Sequence, residues 1–143
     1  MQTVQIANAL GGTRTFHGAV EDAAELHEKV LSGLPYRAFE AVVERYGLDR
    51  AAVLRVLHVP PRTLARRKQA QRFVAEESDR LTRLARIVAM AEETLGEPGK
   101  AGRWLQKANR ALGGVVPLDH LVTDVGTRRV EEVLGRIGHG VLG

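Results

Sequence analysis

The chain has 143 residues, enough for one substantial hydrophobic core or two small ones. It carries 21 basic and 17 acidic residues, so attraction to an anionic partner depends on where the charges lie more than on their sum of +4. The absence of cysteine excludes disulfides, thiolate zinc sites and a cysteine nucleophile. No apolar run reaches the ~18 residues of a membrane span, and no secretory signal is visible, so we expect a cytosolic protein.

The first third of the chain predicts an arm and two helices. Residues 1–18 mix small and polar side chains without a lasting period, which predicts a flexible N-terminal arm. Apolar residues then recur at helical spacing through 20–31 and 39–46. We expect the first of these helices to stop at Ser32–Pro35 and the second at Gly47.

Two short helices separated by a tight turn are predicted next. Asp49 is a favourable N-cap for the first of them, which ends before Val59 and Pro60. Pro61 suits the first position of the following helix, where its missing N–H costs nothing, and Leu64 is expected to face the core. This arrangement predicts a helix-turn-helix, although Pro60 offers no side-chain cap.

The second of these helices carries positive charge and no acid between residues 61 and 72. If it is a recognition helix, its base contacts in the major groove are predicted to be Arg62, Thr63, Arg66 and Arg67. Lys68 and Arg72 are predicted to clamp phosphates. The alternative is a solvated basic helix that only keeps the protein in solution. The preceding turn pattern favours DNA binding.

The second half of the chain is also predicted to be helical. A long amphipathic helix is predicted over 76–95, and its apolar seam is either a joint between the two halves or a dimer contact. After a break at 96–100, a helix carrying Trp104 ends near Gly113, and the last helix spans 130–137. Because no pair of strands or internal repeat is visible, we expect an all-α fold.

A series of short motifs lies along residues 35–143. The motifs are Arg62-Thr63-Leu64, Glu77-Ser78-Asp79-Arg80-Leu81, Trp104-Leu105, Asn109, Leu112-Gly113-Gly114, Pro117-Leu118, Thr123, Gly126 and His139-Gly140. In this order they resemble the Xre/MbcA/ParS antitoxin family, and the C-terminal motif is the more specific part. The resemblance implies an Xre-like helix-turn-helix domain over 19–75 that binds operator DNA of its own operon. It also implies a small helical toxin-binding domain over 76–143, with 76–95 as the connecting helix.

The resemblance further implies that the partner is a RES-domain toxin, which hydrolyses NAD or transfers ADP-ribose. It implies antitoxin homodimers, and a larger toxin–antitoxin complex in which the antitoxin C-terminus reaches the toxin's active-site cleft. Because obstruction needs no chemistry from the antitoxin, no catalytic residue, metal or cofactor is expected. The implied docking residues are Trp104, Leu105 and Asn109 on one helix and Ile137, Gly138, His139, Gly140, Val141 and Leu142 at the tail.

Other interpretations of these residues stay open. Trp104 is also typical of a core anchor, and Asn109 could brace the glycine turn after it. An enzyme would have to use Asp119 and His120 with Asp124, where no third ligand, nucleophile or phosphate loop accompanies them. A transcription regulator of the bacterial cytoplasm and nucleoid without a toxin partner is the remaining alternative.

Overall fold

The computed structural model describes residues 2–140, which form ten α-helices and one 3-10 turn. The all-α prediction is confirmed, since only two isolated bridges pair extended residues in this part of the chain. The first six helices are α1 Gln2–Ala9, α2 Thr13–Phe16, α3 Ala23–Ser32, α4 Tyr36–Tyr46, α5 Arg50–Leu57 and α6 Pro61–Ala70. They are followed by α7 Ala75–Leu95, α8 Pro98–Leu105, the 3-10 turn Arg110–Leu112, α9 Pro117–His120 and α10 Asp124–Gly138.

The long helix α7 lies at the centre of the molecule and contacts helices from both ends of the chain, including α1, α5, α8 and α10. Its predicted apolar seam is confirmed, because Leu81, Leu84, Val88 and Ala91 are fully buried, while Leu95 at its end is half-buried. The buried residues form one continuous hydrophobic core across the two halves. No helix among residues 2–140 is long and apolar enough to cross a membrane.

The N-terminal segment is folded, so the prediction of a flexible arm was wrong for residues 2–18. Helix α1 packs against α7 and buries Ile6, and Leu10 directly after it is fully buried. Thr15 donates a hydrogen bond to the Leu10 carbonyl at 2.6 Å, which ties α2 to α1. An eight-residue helix with few apolar side chains shows too little periodicity to be recognised in the sequence. Its stability comes from packing on α7 and not from its own sequence.

The helix-turn-helix prediction is confirmed in its local details. The Asp49 carboxylate accepts a hydrogen bond from the Ala52 N–H at 3.0 Å and caps α5. His58 ends α5 in the left-handed conformation, with a φ of 57°. Pro61 begins α6, and Leu64 is the buried residue of that helix.

Helix α8 is packed tightly against the end of α4, just before α5. A Cβ atom at Gly102 would overlap the Tyr46 carbonyl oxygen, so glycine lets the two backbones meet. One turn later, Gln106 accepts a hydrogen bond from the Asp49 N–H at 2.9 Å and donates one to the Gly47 carbonyl at 3.0 Å. These contacts fix the first end of α5 to the C-terminal half.

The other end of α5 is also bonded to later parts of the chain. His58 Nε2 donates to the Val122 carbonyl at 2.9 Å, just after α9. Arg80 on α7 donates to the Leu57 carbonyl at 3.2 Å. Both ends of the first helix of the helix-turn-helix are therefore held by groups outside that motif.

Truncation of Leu10 tests whether the N-terminal helices stabilise the fold. Leu10→Ala should lower the free energy of unfolding by about 2–5 kcal/mol, because it leaves a cavity in the core. Val4→Ala is the matched control, since Val4 is 42% exposed, and should change it by less than about 0.5 kcal/mol. Urea unfolding followed by circular dichroism measures both, and equal stabilities would show that this segment adds nothing to the core.

Candidate functional site

Helix α6 presents most of its surface to solvent. Arg62, Arg66 and Lys68 are exposed, and none of these cations pairs with a carboxylate among residues 2–140. Thr63 is half-buried and accepts a long hydrogen bond of 3.4 Å from Arg66. The structure thus gathers four of the six predicted DNA-contacting residues on one accessible helix.

Arg67 is engaged inside the protein, in contrast to its predicted role as a base contact. Its Nε and Nη2 donate to the two carboxylate oxygens of Glu77 at 2.7 and 3.0 Å. The same Glu77 carboxylate accepts the Val74 N–H at 3.1 Å, at the beginning of α7. This bidentate pair joins α6 to α7 through a partner ten residues along the chain. The base contact by Arg67 stays a prediction.

The buried Glu77 carboxylate stays ionised because its partners outweigh its loss of solvent. Burial by itself would raise the pKa of Glu77, but the hydrogen bonds from Arg67 and Val74 and the charges of Arg67 and Arg80 lower it below its ordinary value. The hydrogen bonds to Glu77 likewise raise the pKa of Arg67. The pair therefore remains charged at neutral pH.

Arg72 is likewise used to hold the chain, although it was predicted to clamp a phosphate. Its Nη1 donates to the carbonyls of Gly33 at 2.7 Å and Ser32 at 3.3 Å, which are exposed at the end of α3. The Phe73 N–H donates to the Leu34 carbonyl at 2.9 Å beside this contact. Carbonyl groups at a helix end favour a cation, so Arg72 anchors the segment that follows α6.

The three docking residues predicted on the Trp104 helix have different environments. Trp104 is half-buried and packs against the core, as expected for the anchor interpretation. Leu105 is fully buried, so its side chain supports α8 from beneath and offers no contact surface. Asn109 accepts the Ala111 N–H at 2.9 Å and braces the glycine turn, as the alternative interpretation holds.

The predicted tail residues extend from the last helix. Ile137 is half-buried, whereas Gly138, His139 and Gly140 are exposed. His139 donates through its Nδ1 to the Gly135 carbonyl at 2.6 Å, so the turn at the helix end is closed. Val141 and Leu142 lie outside the described residues. The tail belongs to a different helix from Trp104, and Gly138 lies beside Thr94 of α7.

The acidic and histidine residues considered above as an enzyme site do not form a cluster, because each of them lies beside a different arginine. No group of three metal-binding side chains lies together within residues 2–140. Each of the three lies within 3.5 Å of an arginine: Asp119 of Arg55, His120 of Arg129 and Asp124 of Arg128.

Sequence reasoning missed two positioning residues, Glu77 and Gln106. Glu77 accepts the Val74 N–H as the acid of a capping box does, but valine lacks the side-chain oxygen by which that box is recognised in a sequence. No local pattern marks Gln106, whose partners Gly47 and Asp49 lie more than fifty residues earlier.

Comparison with known proteins gives two family matches that meet inside α7. The family described as antitoxin Xre-like helix-turn-helix domain matches residues 25–86, and the antitoxin Xre/MbcA/ParS C-terminal toxin-binding domain matches residues 90–140. The chain is 40% identical over 117 residues to Antitoxin Xre of Pseudomonas putida, covering 81% of this chain and 72% of that protein. It is 30% identical over 112 residues to Antitoxin Xre of Photorhabdus laumondii, covering 77% and 76%. A third relative, Antitoxin Xre of Yersinia enterocolitica, is 35% identical over 96 residues, or 66% of this chain and 65% of that protein.

Neutralising Glu77 tests the bond between α6 and α7. Glu77→Gln should lower the free energy of unfolding at pH 7 by about 1.5–3 kcal/mol, the contribution of a charged hydrogen bond. Glu76→Gln is the matched control on the exposed side of the same turn and should cost under about 1 kcal/mol.

The same variant has a pH signature. Because the folded-state pKa of Glu77 is lowered, its stabilisation is complete above the unfolded pKa of about 4.3 and is lost as the pH falls through the folded value. Acid should therefore destabilise the wild type more than Glu77→Gln, and the two unfolding curves should converge. If the free energies of unfolding of the wild type and Glu77→Gln, measured in urea, fell in parallel with pH, the stabilising role of the ionised Glu77 carboxylate would be contradicted.

Proposed function

We propose, since the chain belongs to the Xre/MbcA/ParS family of antitoxins of toxin–antitoxin systems, that it represses its own operon through α6 and neutralises a RES-domain toxin through its C-terminal end. The observation that carries this proposal is the set of exposed cations on α6 within the matched helix-turn-helix domain. In this proposal the chain acts by binding two partners, operator DNA and the toxin, and catalyses no reaction itself.

The DNA-binding part of the proposal assigns base contacts to Arg62, Thr63 and Arg66. Arginine can bond two acceptors of guanine in the major groove, and a second helix of a helix-turn-helix lies in that groove. Lys68 is then close enough along α6 to neutralise a phosphate. Support comes from Arg67 and Arg72, which hold α6 in place before DNA arrives and so reduce the ordering needed on binding.

The toxin-binding part assigns the obstruction of an NAD-binding cleft to the tail that begins at Ile137. Gly138, His139 and Gly140 are exposed, and the φ of 77° at Gly140 shows a turn that other residues rarely adopt. A slim segment of this kind suits a narrow cleft. Trp104 remains in the proposed surface through its exposed edge, whereas Leu105 and Asn109 contribute by shaping the backbone beneath it.

The proposal includes a homodimer on DNA. Helix-turn-helix proteins commonly read two half-sites as dimers, and each copy would bring one toxin-binding half to a larger complex.

Removing the exposed charges of α6 tests operator binding. Each arginine lost from a base contact costs about 1–3 kcal/mol, so Arg62→Gln with Arg66→Gln should weaken binding at least about tenfold. The measurement is fluorescence anisotropy with a duplex taken from upstream of the coding sequence.

Arg128→Gln with Arg136→Gln is the matched control for this test. It removes the same charge from exposed positions on α10 and should bind almost as the wild type does. Equal losses in both double variants would mean that net charge, and not α6, determines the affinity.

Deletion of residues 138–143 tests the obstruction of the toxin. The truncated chain should keep the wild-type affinity for the duplex, because Gly138, His139 and Gly140 are exposed and contribute nothing to the core. Cells that co-express the neighbouring toxin should lose protection and show falling NAD. The double variant on α6 is the reciprocal control and should still protect. Full protection by the truncated chain would refute this role of the tail.

A further inference from the structure

A second stretch of the chain is basic and free of acids. From Pro98 to Leu118 there is no aspartate or glutamate, although the whole chain contains 17. All four cations in this stretch are exposed: Lys100, Arg103, Lys107 and Arg110. This stretch lies in the half that matches a toxin-binding domain. The surfaces proposed above include Trp104 from this stretch but none of its cations.

Three of these cations lie on α8 and the turn that follows it. Lys100 and Arg103 are three residues apart and share one face of α8, and Lys107 lies two residues past the end of the helix. The turn continues past the end of α8, because the Lys107 N–H donates to the Trp104 carbonyl at 3.4 Å. The opposite side of α8 is fully buried through Leu105. We call the side with the three cations the α8 basic face.

The α8 basic face borders the first helix of the helix-turn-helix. Gln106, next to Lys107, is bonded to the backbone of Gly47 and Asp49 at the start of α5. Gly102, next to Arg103, abuts the Tyr46 carbonyl at the end of α4. Tight packing and short hydrogen bonds therefore fix the position of this face relative to α5.

Arg103 and Lys107 are available for an external anion. Within residues 2–140 the one carboxylate near Arg103 is Glu97, at 3.8 Å, and the side chains of the pair are 68% and 55% exposed. Such a long, solvated pair contributes little and is readily exchanged. Lys107 has no ion-pair partner in the described part of the chain.

We infer that the α8 basic face contacts the DNA phosphate backbone beside the site that α6 reads, through Arg103 and Lys107. The inference rests on the proposed DNA binding by α6. The first helix of a helix-turn-helix crosses the backbone while the second enters the groove, so cations fixed beside α5 lie next to phosphates. This adjacency favours DNA over an acidic protein surface as the occupant. The C-terminal half thereby extends the DNA footprint.

The test is the salt dependence of DNA binding by the full chain with Arg103→Gln and Lys107→Gln. Each lost phosphate contact should reduce the slope of log affinity against log salt by about 1. Affinity should fall by the same factor for the upstream duplex and for a scrambled duplex, since phosphate contacts carry no sequence information.

Two control variants accompany this measurement. Arg103→Lys with Lys107→Arg preserves the charge and should keep the wild-type slope. Arg128→Gln with Arg136→Gln removes an equal charge elsewhere and should also keep it. Thermal unfolding of every variant should match the wild type, because both tested side chains are exposed.

The possible outcomes separate this inference from the proposed function. An unchanged slope overturns the inference, while a loss of binding in the α6 double variant would still support operator recognition. A wild-type chain that binds neither duplex overturns both. Unchanged DNA binding with lost toxin neutralisation would make the α8 basic face a protein surface and would also overturn the inference.

Discussion

The arrangement of the molecule depends on how α5 is held at its two ends. Gln106 bonds the backbone before its first turn, while His58 at its last turn donates to the Val122 carbonyl. Each hydrogen bond contributes only about 0.5–1.5 kcal/mol net, but together they oppose tilting of α5 relative to α8 and α9. The first helix of the DNA-binding motif is thus part of the same rigid framework as the C-terminal half.

A second constraint explains why a basic helix uses part of its charge internally. Helix α6 has one buried residue, Leu64, so apolar contact alone holds it weakly. The Arg67–Glu77 pair adds a bidentate link to α7, and Arg72 fixes the segment that follows at the end of α3. Arg67 and Arg72 are therefore bonded within the chain, and the remaining cations are presented on a helix that is already in position.

The sequence was most informative where the cause of a structure is local. Asp49 and Pro61 mark helix starts through their own chemistry, and the seam of α7 follows from helical periodicity. Prediction failed where the cause is a distant partner. The packing of α1 needs α7 and the ion pair of Arg67 needs Glu77, and no sequence spacing predicts either contact.

The rigid connection also constrains how the two proposed bindings can influence each other. A ligand shifts an equilibrium only through a difference in affinity between two states of the protein. Gly138, His139 and Gly140 are exposed, and none of these three residues is hydrogen-bonded to α5 or α6. A toxin seated on them would therefore leave α6 in the same place. Any effect of the toxin on repression then has to come from how many copies of α6 it brings to one DNA, because linked copies bind with a raised effective concentration.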